Sequence, residues 1–125
     1  MTSFIEFAER VREEAQARIK SELARRSFVE RMAFSFLTPL TANLLTNQGD
    51  GSIIIHGDGS VLVGSGLSSS PDVTVRADFD TLLHLYSSRS REQFLKAESE
   101  NRISVEGHTL KGNQAKGKLR ELLGG

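Results

Sequence analysis

The feature that most constrains this chain is a change of period in its middle. From Leu40 to Arg76 the residues are rich in β-branched types and broken by Gln48-Gly49-Asp50-Gly51, Gly57-Asp58-Gly59 and Ser68-Ser69-Ser70-Pro71. Gly, Asp, Ser and Pro in such clusters supply the backbone angles and local hydrogen bonds of turns. The block therefore reads as antiparallel hairpins, with strands at Thr41 to Asn47, Ser52 to His56, Ser60 to Ser65 and Asp72 to Ala77. In the last of these Val73 and Val75 face one way, Thr74 and Arg76 the other, as a strand with one dry face requires.

On both sides the period is helical. Ser3 and Glu6 form a capping box, in which each side chain satisfies a free backbone N–H at a helix start. Phe4, Ala8, Val11, Ala15, Ile19 and Leu23 then recur at steps of three or four, one stripe of a long helix. Glu6 with Arg10, Glu14 with Arg18 and Glu22 with Arg26 are acid-before-base pairs at i,i+4 on its charged face. Ser27 and Glu30 repeat the capping box ahead of Phe28, Val29 and Met32. Alternation in Ala33-Phe34-Ser35-Phe36-Leu37 favours a strand there instead, ended by Thr38-Pro39.

After the block, Asp78 is a helix N-cap before Phe79, Leu82, Leu83 and Tyr86. Ser90 and Gln93 open a further helix carrying Phe94, Leu95 and Ala97. Arg102 to Glu106 alternates with Ile103 and Val105 inward. A loop from His108 to Gln114 then leads to a final helix with Ala115, Leu119, Leu122 and Leu123, closed by Gly124. Helices flanking a block of hairpins make an α+β chain: a long N-terminal helix, then a sheet with helices on one side.

Length and charge narrow the function. At 125 residues one domain is expected, large enough for a core without metal or disulfide staples. There is no cysteine, hence no thiol ligand, redox pair or thiol nucleophile, which fits the cytoplasm. Sixteen basic residues balance sixteen acidic ones, so no net field gathers nucleic acid. No stretch has the apolar length of a membrane span, and Glu6, Glu9, Arg10 and Arg12 stand where a signal peptide needs an apolar run.

The chemistry-bearing motifs each fail a requirement. Gly112 to Lys118 has phosphate-loop spacing, but Leu119 stands where a Ser or Thr must hold magnesium. Gly64-Ser65-Gly66 lacks the third glycine of a dinucleotide fingerprint, Ser69 occupying its place. The Asp50 and Asp58 segments offer too few oxygens for a calcium loop and read as Asp-Gly turns. His56, His84 and His108 have no metal spacing and no Ser or Asp constellation. Gly124-Gly125 is similar to the tail of ubiquitin-like modifiers, but it follows a helical stripe directly and reads as a helix end. Neither catalysis nor a cofactor or metal is expected.

The aspartate-led strand Asp72-Val73-Thr74-Val75-Arg76-Ala77-Asp78, the helix Phe79 to Tyr86, the strand Arg102-Ile103-Ser104-Val105-Glu106-Gly107 and a terminal amphipathic helix, with the hairpin from Gly51 to Gly64, resemble the sterol carrier protein type two family. The resemblance covers residues 33 to 123, leaving residues 1–30 as an N-terminal helical element packed along a surface. It implies a five-stranded, mostly antiparallel sheet covered by helices around an apolar tunnel for fatty acyl chains, sterols or similar ligands. The side chains expected to line it are Phe34, Phe36, Leu62, Val73, Val75, Phe79, Leu82, Leu83, Tyr86, Phe94, Leu95, Ile103, Val105, Leu119 and Leu122. The function implied is non-catalytic binding or transfer of an apolar, lipid-like ligand, with transient membrane contact as one mode of delivery. The alternative is an accessory domain whose cavity is filled and whose N-terminal helix forms a homodimer or pairs with an enzyme.

Overall fold

The structure, a computed structural model, describes residues 3–64 and 66–124, and their side chains as far as residue 117. Helices α1 (Phe4–Arg25) and α2 (Phe28–Phe36) lead into strands β1 (Leu40–Thr46), β2 (Gly49–Ile55), β3 (Val61–Gly64) and β4 (Val73–Ala77). Helices α3 (Phe79–Ser88) and α4 (Arg91–Ser99), strand β5 (Ile103–Gly107) and helix α5 (Leu110–Gly124) follow. The strand order is β3-β2-β1-β4-β5, antiparallel except where β1 runs parallel to β4. This is the α+β architecture with a five-stranded, mostly antiparallel sheet that the resemblance implies.

Local chemistry sets the helix starts. The side chains of Ser3, Ser27, Asp78 and Ser90 accept from the backbone N–H of Glu6, Glu30, Thr81 and Gln93, satisfying donors that the first helical turn cannot. Ser27 also donates to the Glu30 carboxylate, and Arg26 bridges Glu22 and Glu30 across the junction of α1 and α2 at 2.9 Å each.

Register places one face of the sheet under the helices. Leu44, Val75 and Val105 lie side by side across β1, β4 and β5, while Leu40, Ile55 and Val61 do the same across β1, β2 and β3. These residues join Phe7, Val11 and Ala15 of α1, Phe79, Leu82, Leu85 and Tyr86 of α3, Phe94 and Ala97 of α4 and Ala115 of α5 in one buried cluster. Helix α1 lies over β2 and β3, and α5 over β4 and β5. The N-terminal stripe is thus part of the interior: Phe7 is fully buried, edge-on to the rings of Phe79 and Tyr86 at 5.8 and 5.3 Å.

Four expectations are corrected. Ala33 to Leu37 is no strand: residues 33–36 complete α2 and Leu37 is its C-cap, because the Ser27 and Glu30 box nucleates a helix that short alternation cannot override. The first hairpin turns at Asn47 and Gln48, where the Thr46 hydroxyl accepts from the N–H of Gln48 and Gly49, so Gly49-Asp50-Gly51 is strand. The glycine at 49 serves packing, since a Cβ there would sit 2.7 Å from the Phe4 ring that α1 lays across it. The last helix starts at Leu110, well inside the expected loop, with the Thr109 hydroxyl accepting from Gly112 N–H. Glu14 pairs with Arg89, the C-cap of α3, at 2.8 Å where Arg18 was expected.

Asp72 ties the two ends of the sheet block together. Its carboxylate accepts from Thr41 N–H at 3.0 Å and from the Thr109 hydroxyl at 2.8 Å, and its backbone carbonyl accepts from His108 N–H. The α5 backbone at Gly112 approaches so closely that any Cβ would collide with the Asp72 carbonyl. The aspartate that leads β4 therefore positions α5 against the sheet.

Candidate functional site: the apolar interior and its rim

The residues singled out from the sequence divide into three groups. Val73, Val75, Phe79, Leu82, Tyr86, Phe94, Ile103 and Val105 are buried together in the one cluster, and Phe34 and Leu83 are half-buried against it. Phe36, Leu62 and Leu95 point to solvent, at 77%, 52% and 51% exposure. The side chains of Leu119 and Leu122 lie outside the described residues. Each exposed member has a geometric reason. Phe36 belongs to a helix and so does not share a face with Phe34. Leu62 is cross-strand from Ile54 on the outer sheet face, and Leu95 follows the inward Phe94 on α4.

Sequence reasoning missed much of the apolar interior. Leu40, Ala42 and Leu44 form the buried side of the central strand β1, and their every-second spacing was readable. Phe7 was also readable, because it precedes Val11 by four residues; the stripe was drawn through Phe4 and Ala8 instead. No local pattern distinguishes Leu85 from Leu83, since both neighbours of the inward Leu82 and Tyr86 are apolar.

The fully enclosed residues Phe7, Val61, Val73, Phe79, Leu82, Leu85 and Ile103 make a tightly packed floor. Packed against it is a rim of partly buried apolar side chains: Phe4 and Ile19 from α1, Phe34 from α2, Ile53 from β2, Ala77 from β4 and Leu83 from α3. Of the adjacent pair Leu82 and Leu83, it is Leu82 that points fully inward.

Polar groups sit at the margin. Tyr86 turns its ring into the cluster and donates its hydroxyl to Glu14, while the Arg89 guanidinium lies 4.1 Å over the ring. Burial, then the hydrogen bond to the Glu14 carboxylate, pushes the phenol up to about 12. The group is a neutral donor at ordinary pH and a poor general base.

The outer sheet face is different in kind. Asn43 exchanges two 2.9 Å hydrogen bonds with the backbone of Ser68, and the Thr74 hydroxyl meets His108 Nε2 at 2.7 Å. An open groove of about 720 Å³ on this side is bordered by Arg76, Arg102, Asp50 and Asp78, a lining that does not suit an apolar chain. Gly112 to Lys118, the segment with phosphate-loop spacing, lies within α5 and so forms no cradle. Among the described residues no cluster of three or more His, Asp or Glu could hold a metal ion.

No protein-family model matches the chain, and no curated protein matches it. Solved structures do. One described as UbiJ-SCP2 ubiquinone synthesis protein is 20% identical, with a TM-score of 0.52, over 92% of this chain and 99% of that one. The stereoselective inverting sec-alkylsulfatase Pisa1 from Pseudomonas sp. is 17% identical over 76% of this chain but 14% of its own, with a TM-score of 0.51. Sterol Carrier Protein 2 Like 2 from Aedes aegypti is 20% identical over 91% of this chain and 97% of that one, with a TM-score of 0.47. At these identities the likeness is one of fold, and the fold is sterol carrier protein type two-like.

Proposed function

We propose that this sterol carrier protein type two-like chain binds an apolar, lipid-like molecule between its helices and the inner face of its sheet, and performs no chemistry on it. The observation that supports the reading is the set of partly buried apolar side chains Phe4, Ile19, Phe34, Ile53, Ala77 and Leu83, which come from five elements and pack against a floor that is wholly hydrocarbon. An acyl chain or sterol held there gains about 25 cal/mol for each Å² it withdraws from water, and needs few polar partners.

Access is proposed beside α2. That helix contributes no buried residue, and Phe34 is its one side chain packed against the cluster. Elements with so little buried apolar area open at low cost relative to the whole domain. An incoming chain then replaces the Phe34 contact without disturbing the packed floor. Tyr86, neutral and held by Glu14, offers the site a polar edge.

Native mass spectrometry of the freshly purified 125-residue chain tests this. The expected spectrum contains adducts whose masses, after release and extraction, are those of intact lipids. A bare polypeptide mass that stays bare after incubation with fatty acids and sterols would contradict the proposal and leave an accessory domain with a filled interior.

A further inference from the structure

The outer face of the sheet sets two opposite charges in one row without joining them. Register places Asp50 of β2, Leu45 of β1, Arg76 of β4 and Ser104 of β5 side by side across four strands. The neighbouring row, Ser52, Asn43 and Thr74, is buried, with Asn43 bonded to Ser68 and Thr74 to His108. Cover stops there. Leu45 is half-buried, Asp50 and Arg76 are exposed, and all four side chains border the open groove of about 720 Å³, a volume within the range of small-molecule sites.

The groove is charge-balanced, but its charges are not all matched. Arg102 meets Glu100 at 2.8 Å, and the Asp78 carboxylate caps α3 by accepting from Thr81 N–H. Asp50, Arg76 and Ser104 form no side-chain hydrogen bond or ion pair among the described residues. Asp50 and Arg76 stand two strand spacings apart, about 10 Å between their backbones, with Leu45 between them. A simple anion on Arg76 would face the Asp50 charge, and a simple cation on Asp50 would face Arg76. A molecule that carries both charges, several atoms apart on a short body, satisfies the row at both ends. Its carboxylate accepts from the Arg76 guanidinium in the paired geometry that arginine favours, and from the Ser104 hydroxyl. Its ammonium donates to Asp50, and its body rests on Leu45.

We propose that this groove is a second binding site, for a small zwitterion of the ω-amino carboxylate or short-peptide class. The carboxylate sits on Arg76 and Ser104 and the ammonium on Asp50. The site lies on the sheet face away from the apolar interior and does not depend on what the interior binds.

An NMR titration of the isotope-labelled 125-residue chain with 6-aminohexanoate, and separately with triglycine, tests it. The two probes carry the same pair of charges on an apolar and on a peptide body, so the tighter one identifies the source. Saturable shifts are expected at the amides of Leu45, Arg76 and Ser104, with Kd of about 1 mM. Added salt should weaken them, because the groove is open to solvent. Arg76→Gln and Asp50→Asn each alter an exposed group without a partner, should leave the rest of the spectrum in place, and should each weaken binding about tenfold. No saturable shift with either probe would overturn the proposal, as would shifts confined to the helical side of the sheet or unchanged affinity in both variants. Weakening by only one of the two variants would overturn it in favour of a site for a single charge.

Discussion

Tyr86 is the single tyrosine of the chain, and there is no tryptophan, so its ionisation can be read directly from the tyrosinate absorbance band. Burial and the Glu14 carboxylate disfavour the phenolate, raising the folded value from 10.0 to about 12. Because the folded value lies above the unfolded one, the contribution to stability is complete below pH 10 and is lost as pH climbs toward 12, where the unfolded chain releases its proton first. A spectrophotometric titration should show a midpoint near 12 in the native protein and near 10 in denaturant, and Tyr86→Phe should flatten the alkaline limb of the stability profile. A native midpoint near 10 would mean that Glu14 and Tyr86 are apart in solution. Nothing in sequence could have joined them, since Glu14 has an equally good local partner at Arg18 and the true one stands at the C-cap of α3.

Among the elements, those whose local signals agree were legible and those whose signals compete were not. Serine or aspartate caps fixed the starts of α1, α3 and α4, and alternation with valine or isoleucine fixed β4 and β5. In α2 the same residues satisfy both a capping box and a short alternation, and the cap prevailed. In β2 the glycines signal a turn, but the one at 49 is required by the Phe4 ring that packs on it, a partner far away in sequence. The role of α1 was underestimated for a similar reason: a stripe shows which side of a helix is apolar, not what it covers. Because Phe7 is fully buried against Phe79 and Tyr86, Phe7→Ala should destabilise the protein by about 3–5 kcal/mol in urea unfolding. A loss within about 0.5 kcal/mol, the range of surface substitutions, would show that α1 is an appendage.

For the whole molecule, a packed floor, an apolar rim and a weakly held helix together form the proposed site for a lipid-like molecule. Of this site, the share built from β4, β5 and α3 was readable from alternation and helical spacing, and the share built from α1 and β1 was not assigned to it. The most direct measurement is a fluorescence titration of a polyene fatty acid into the wild-type chain and into Leu83→Trp. Leu83 is half-buried on the rim, so a larger ring there has room at its outer edge and takes volume from the ligand. The account predicts saturable wild-type binding with Kd of about 1 μM or tighter, close to −8 kcal/mol, and recovery of the fatty acid chemically unchanged. It further predicts roughly tenfold weaker binding by Leu83→Trp at unaltered thermal stability, equivalent to about 1.4 kcal/mol. No saturation with acyl or sterol probes, or wild-type affinity in Leu83→Trp, would contradict it.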